Sequence, residues 1–190
     1  MTRRAPAAVV LDRERLAELL RAERGRGRSI VLANGCFDLL HAGHVRYLHG
    51  AAAEADVLVV ALNTDESVRR NKGPGRPLQC ETDRVEVLAA IGCVDFVTTF
   101  GESTADAILR ALRPDVHAKG TDWTADAVPE LATVREIGAR VAIVGDVKTR
   151  SSSELMQRAR DVDGQRDEIG DDGRDEEGDD EATRSADAAC

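Results

Sequence analysis

Residues 34 to 44 read NGCFDLLHAGH, which sets His41 and His44 three positions apart beside an asparagine, two glycines, a cysteine and an aspartate. Such a set could be half of a metal site, polar packing on a loop, or a cradle for an anion. A zinc site needs several ligands at close spacing. The other candidates, His49, His117, Cys36, Cys80, Cys93 and Cys190, are dispersed along the chain, so no metal ligands are assigned. The glycines favour the anion. Gly35 permits a tight turn or close backbone approach, and Gly43 opens a helix whose first N–H groups and dipole attract negative charge.

The elements that must position this stretch follow from the hydropathy pattern. SIVLAN (29–34), VLVVALN (57–63), VDFVTT (94–99), DVHAK (115–119) and RVAIVG (140–145) are short apolar, β-branched runs and read as five strands. Helical patterns lie between them: 43–54, a short one after Thr64, 82–91, 103–112, one within 126–138 and a last one from Ser151 to Arg160. Strands that alternate with helices and are apolar nearly throughout predict an α/β fold: an open, Rossmann-like, parallel five-stranded sheet with helices on both faces. Ligands of such sheets bind beyond the carboxyl ends of the strands, and NGCFDLLHAGH follows the first of them.

A leading amphipathic helix within residues 1–28 is expected from Leu11, Leu16, Leu19 and Leu20 and the glycines that follow, and the core domain from 29 to 160. The net charge of −9 is carried by the end of the chain. Residues 161–190 hold 13 acidic residues against 3 arginines, which leaves residues 1–160 at +1. With one Val and one Ile as its sizeable apolar residues, that segment cannot offset the entropy of ordering, and a disordered acidic tail is expected. The start of the chain reaches Asp12, Arg13 and Glu14 before any signal-like apolar run, and no stretch approaches the roughly 20 apolar residues of a membrane span. Scattered cysteines without CxxC spacing fit free thiols in a reducing compartment, so a cytoplasmic protein with no membrane partner is expected.

GCFDLLHAGH after a first strand resembles the HxGH signature of the cytidylyltransferase-like nucleotidyltransferases. Three later segments resemble the family in the same order: ALNTDESVRRNKGPGRP, ETDRVEVLAAIGCVDFV and TRSSSELMQRAR. In this family the phosphate of an acceptor attacks the α-phosphorus of a nucleoside triphosphate in line, and pyrophosphate leaves. The acceptor is already a nucleophile, so catalysis reduces to positioning and to stabilising charge on the phosphoryl oxygens.

The resemblance implies His41, His44, Lys72 and Arg84 as catalytic groups. Arg84 would contact phosphate, where its position on a helix alone suggests a surface ion pair. For the nucleotide it implies Asn34, Gly35, Cys36, Phe37, Gly43, Lys119, Gly120, Asp122, Ser151, Ser152 and Ser153. Ser151 with Glu154 also reads as a capping box, which needs no ligand. For the acceptor it implies Asp38, Asn63, Asp65 and Arg76, with Lys72 and Arg76 in a Gly-Pro-rich loop able to close over phosphates. Asp38 is expected to orient the turn or a histidine and the Cys36 thiol to pack. Trp123 either meets the base or ribose or caps the core. Mg²⁺ is expected, held mainly by the nucleotide phosphates.

Two branches fit: a D-glycero-β-D-manno-heptose 1-phosphate adenylyltransferase using ATP, and a glycerol-3-phosphate cytidylyltransferase using CTP. Asp146 where the second branch has an arginine, GCVD without a preceding Arg-Tyr, and AKGTDW with Lys119 before glycine favour the heptose branch. The expected partners are ATP, a sugar 1-phosphate and a separate sugar kinase upstream. Dimers are common in the family, so a homodimer is a candidate assembly. A catalytically inactive nucleotide-binding regulator need not keep both histidines and the basic loop. A core at +1 with five aromatic residues gives no basic face for nucleic acid.

Overall fold

The computed structural model describes residues 5–146 and Asp161. The chain divides into two compact units, Met1–Thr149 and Arg150–Cys190. The expected last helix from Ser151 to Arg160, with its serines Ser151, Ser152 and Ser153, and the expected acidic tail beyond Asp161 lie outside the described residues.

Six parallel strands form one sheet: β1 (Ala8–Val9), β2 (Ile30–Gly35), β3 (Val57–Asn63), β4 (Phe96–Phe100), β5 (Val116–Gly120) and β6 (Arg140–Val144), in the order β1-β4-β3-β2-β5-β6. The helices are α1 (Arg13–Gly25), α2 (Ala42–Ala52), α3 (Asp65–Lys72), α4 (Glu81–Ala89), α5 (Asp106–Leu112) and α6 (Leu131–Glu136), with a 3₁₀ turn at Ala125–Ala127. The open α/β fold is the expected one, with one strand more. Ala8–Val9 lies in the segment assigned to the leading helix. It pairs with Phe96 and Val97 instead, because the strand-forming AVV precedes the helix cap Asp12, whose carboxylate accepts from the Arg15 N–H at 2.8 Å.

Alternation along the strands divides the core. Val31, Ala33, Leu58, Val60, Leu62, Val116 and Ala118 face α2 and α4, through Leu48, Ala51, Leu88 and Ala89. Ile30, Leu32, Val57, Val59 and Ala61 face α1, α5 and α6, through Leu16, Leu20, Ile108, Leu109, Leu112 and Val134. The leading helix is thus part of the core. All seven residues of β3 are buried, as a central parallel strand requires. The order reverses at β2, whose neighbours β3 and β5 leave their connections on opposite faces, and open α/β sheets place their ligand crevice at such a point, here the carboxyl ends of β2 and β5. No helix among the described residues is long and apolar enough to cross a membrane.

Candidate active site

Beyond β2 the chain turns at Phe37, whose φ of 45° is left-handed and whose ring is buried against His44 and Tyr47. Strain of this kind persists where packing overrides it. Then α2 begins. The His41 Nδ1 accepts from the Gly43 N–H at 3.1 Å, and the His44 Nδ1 accepts from the His41 N–H at 3.3 Å. The two imidazoles therefore do the work usually given to Ser and Glu in a capping box, and their ring centres lie 4.1 Å apart. With each Nδ1 an acceptor, the neutral rings carry their protons on Nε2, which becomes the donor. Gly43 makes room: a Cβ there would stand 2.8 Å from the His41 Cε1 and 2.9 Å from its Nδ1.

Beside this turn lies a group of charges. Asp38 is buried and accepts from Arg76, from the Leu78 N–H at 2.6 Å and from the Gln79 N–H at 3.2 Å. Burial alone would raise its carboxyl, but the bonds from Arg76, Gln79 and Leu78 prevail and hold it below the usual range. Asp38 thus fixes the far end of the basic loop. At the near end Lys72, the last residue of α3, is exposed, and Gly73 and Gly75 take left-handed backbone at φ 90° and 84°.

Arg84 is fully buried. Its Nε donates to the Gln79 carbonyl at 3.0 Å, its Nη1 to the carbonyls of Cys36 at 2.6 Å and Asn63 at 3.0 Å, and its Nη2 to Asp65 at 2.5 Å. Most of the donors that the resemblance implies would meet phosphate are thus taken by protein oxygens, and the alternative of a surface ion pair does not hold for a buried guanidinium. Arg84 clamps the ends of β2 and β3 to the starts of α3 and α4. Asn63 and Asp65 belong to the same clamp, and the Asn63 Nδ2 also donates to the Ser67 Oγ at 2.9 Å. Burial pushes the Cys36 thiol up against the pull of Lys72, Arg84 and Arg76, so it stays protonated at neutral pH, in keeping with packing.

On the other side of the switch point, β5 carries His117 and Lys119 on the face shared with Asn34. The Asn34 Oδ1 meets the His117 Nε2 at 3.0 Å and the Lys119 Nζ at 3.4 Å. His117 is fully buried, and burial, with the Lys119 charge, lowers its pKa from 6.5 to about 4. It is neutral at pH 7. Lys119 pairs with Glu130 at 3.0 Å, both nearly buried, and lies 5.7 Å from the centre of the Trp123 ring. Gly120 lets Asp122 fold back, since a Cβ would stand 2.8 Å from the Asp122 Oδ1. Trp123 is half-buried and Asp122 exposed.

The structure therefore gathers the expected residues from 34 to 84 on one side and those from 119 to 122 on the other. Sequence reading missed Glu130 and the part played by His117. Glu130 has no spacing relation to Lys119 that periodicity could reveal, although a glutamate between Pro129 and a helix start is a weak pointer.

The sequence matches the family described as cytidylyltransferase-like over residues 32–168. The bifunctional protein HldE of Syntrophotalea carbinolica is 45% identical over 149 residues, 78% of this chain and 30% of that protein. HldE of Pelobacter propionicus is 46% identical over the same share of each. The chain thus spans about a third of the length of these curated relatives. A crystal structure of the lipopolysaccharide core biosynthesis protein from Thermoplasma volcanium superposes with a TM-score of 0.57 at 25% identity, covering 64% of this chain and 100% of that one. With a parallel sheet that carries its paired histidines at the switch point, and with the family match over most of its length, the chain belongs to the cytidylyltransferase-like family.

Proposed function

We propose that the chain is a nucleotidyltransferase that joins the AMP part of ATP to D-glycero-β-D-manno-heptose 1-phosphate, giving an ADP-sugar and pyrophosphate. The observation that carries this reading is the locked His41–His44 pair on the first turn of α2, in a chain 45% identical to an HldE protein. An oxygen of the sugar phosphate forms a bond to the α-phosphorus while the bond to the bridging oxygen of the leaving pyrophosphate breaks. His41 and His44 donate from Nε2 to the phosphoryl oxygens as charge grows there, and the N–H groups of α2 add to the field. Lys72 closes on the phosphates from the glycine-rich loop, whose other end Asp38 and Arg76 hold.

Asn34, Lys119 and Gly120 receive the nucleotide from the β5 side, with Ser151 to Ser153 as further phosphate donors. The site carboxylates Asp38 and Asp65 are engaged by Arg76 and Arg84, so Mg²⁺ would be carried by the triphosphate, where it neutralises oxygen charge. A sugar kinase supplies the 1-phosphate, and the enzyme works in the cytoplasm. The test is pyrophosphate release with ATP or CTP against heptose 1-phosphate or glycerol 3-phosphate. ATP with the heptose phosphate is expected to turn over. Turnover with CTP and glycerol 3-phosphate alone would overturn the heptose assignment, and none with any pair would leave a nucleotide-binding regulator.

A further inference from the structure

Lys119 and Glu130 form an ion pair whose desolvation offsets much of its attraction, because both groups lie almost entirely out of water. A lysine at a crevice edge would ordinarily extend its ammonium to solvent. Here Glu130 reaches in from the start of α6, one carboxylate oxygen accepting from the Ala105 N–H at 3.3 Å and the other 3.0 Å from the Lys119 ammonium. The second contact is a buried ion pair at 3.0 Å, which holds the ammonium in place by its charge. Asn34 at 3.4 Å and the Trp123 ring at 5.7 Å bound the ammonium on two further sides. Asn34 is the residue from which the chain enters the histidine turn.

We propose that Glu130 is a positioning residue for nucleotide binding: it holds the Lys119 ammonium at the carboxyl ends of β2 and β5, at the place where the triphosphate nucleotide meets it. The proposal rests on the nucleotidyltransferase reading above. It has a sign that simple charge does not share. Removing a negative charge beside an anionic ligand strengthens binding by Coulomb's law, whereas releasing the lysine from its place weakens it.

The experiment compares ATP binding by calorimetry, and steady-state kinetics, for the full chain and its variants Glu130→Gln, Lys119→Met and the double variant. Glu130→Gln keeps the acceptor for the Ala105 N–H and removes the charge. We expect the ATP Kd and KM to rise on the order of tenfold with kcat within about twofold, and no further loss when Glu130→Gln is added to Lys119→Met. Trp123 is the only tryptophan of the chain, and its emission should shift in ligand-free Glu130→Gln as the ammonium leaves the ring. If Glu130→Gln alone proves too unstable, comparing Lys119→Met with the double variant still decides, because neither retains a buried lysine charge without its partner. Unchanged or tighter ATP binding in Glu130→Gln, or losses that add in the double variant, would overturn the proposal. Failure of the parent chain to bind ATP or CTP would instead overturn the reading on which it rests, and the proposal with it.

Discussion

The histidine turn after β2 and the polar group at the end of β5 flank the same crevice, yet they are held in different ways. His41 and His44 are fixed by backbone groups two and three residues away. His117 and Lys119 meet Asn34 across 83 and 85 residues, and Glu130 meets the Ala105 N–H across 25. The first arrangement is complete once one helix has started. The second exists only inside the finished fold. A donor set fixed locally tolerates changes elsewhere in the molecule, whereas a buried charge pair is only as good as the packing that excludes water from it.

The comparison is broken most strongly at Arg84, whose bond to the Cys36 carbonyl, 48 residues away, holds the start of the histidine turn. Arg84→Ala leaves Asp65 and the carbonyls of Cys36, Asn63 and Gln79 without their donor and should cost about 3–5 kcal/mol in urea unfolding. A loss below about 1 kcal/mol would show that the clamp is dispensable. His44→Ala should act oppositely, lowering turnover about 10²-fold with the fold intact, by the usual cost of losing a transition-state donor. Unchanged turnover would remove the histidine from the chemistry.

The β5 side should respond to acid. His117 has a folded pKa of about 4 against 6.5 unfolded, so the unfolded chain takes the proton first and stability falls as pH drops through that window. By pH 5 the loss should be roughly 2 kcal/mol relative to neutral pH. His117→Gln should flatten that part of the pH dependence, and an unaltered slope would mean that His117 is not the group that titrates. The smallest effect is expected at Gly43→Ala, where the added methyl must displace the His41 ring. Turnover should fall about tenfold, roughly 1.4 kcal/mol, with little change in unfolding. A variant that unfolds easily but turns over normally would reverse the distinction between the two regions.

The histidine turn was legible because its signal is short and local: glycines, imidazoles and an aspartate within one turn after an apolar strand. So were strands β2 to β6 and the parallel sheet, since buried β-branched runs and helical spacing leave few alternatives. The edge strand Ala8–Val9 was not, because two residues carry no periodicity and their pairing with Phe96 and Val97 is a tertiary event. Arg84 was read as a phosphate contact with a surface ion pair as the alternative, and its enclosure was missed, since an arginine on an amphipathic helix gives no sign that carbonyls from two strand ends will surround it. Glu130 gave only the weak sign of a glutamate at a helix start, for the same reason: its partner is set by the fold.

The order of strands also dictates an order in time. β2 finds β3 across one short helical connection, but Val31 reaches its other partner, Val116, after most of the chain has been laid down. Closing so large a loop is slow, and pairings of high sequence separation form late. The crevice between β2 and β5 is thus among the last parts of the molecule to assemble. Pulse-labelled amide exchange during refolding should protect β3 before β5, and simultaneous protection would refute that sequence of events. A chain caught midway would carry a formed histidine turn and no crevice beside it, so capacity for ligand would appear abruptly, with the final strand pairing.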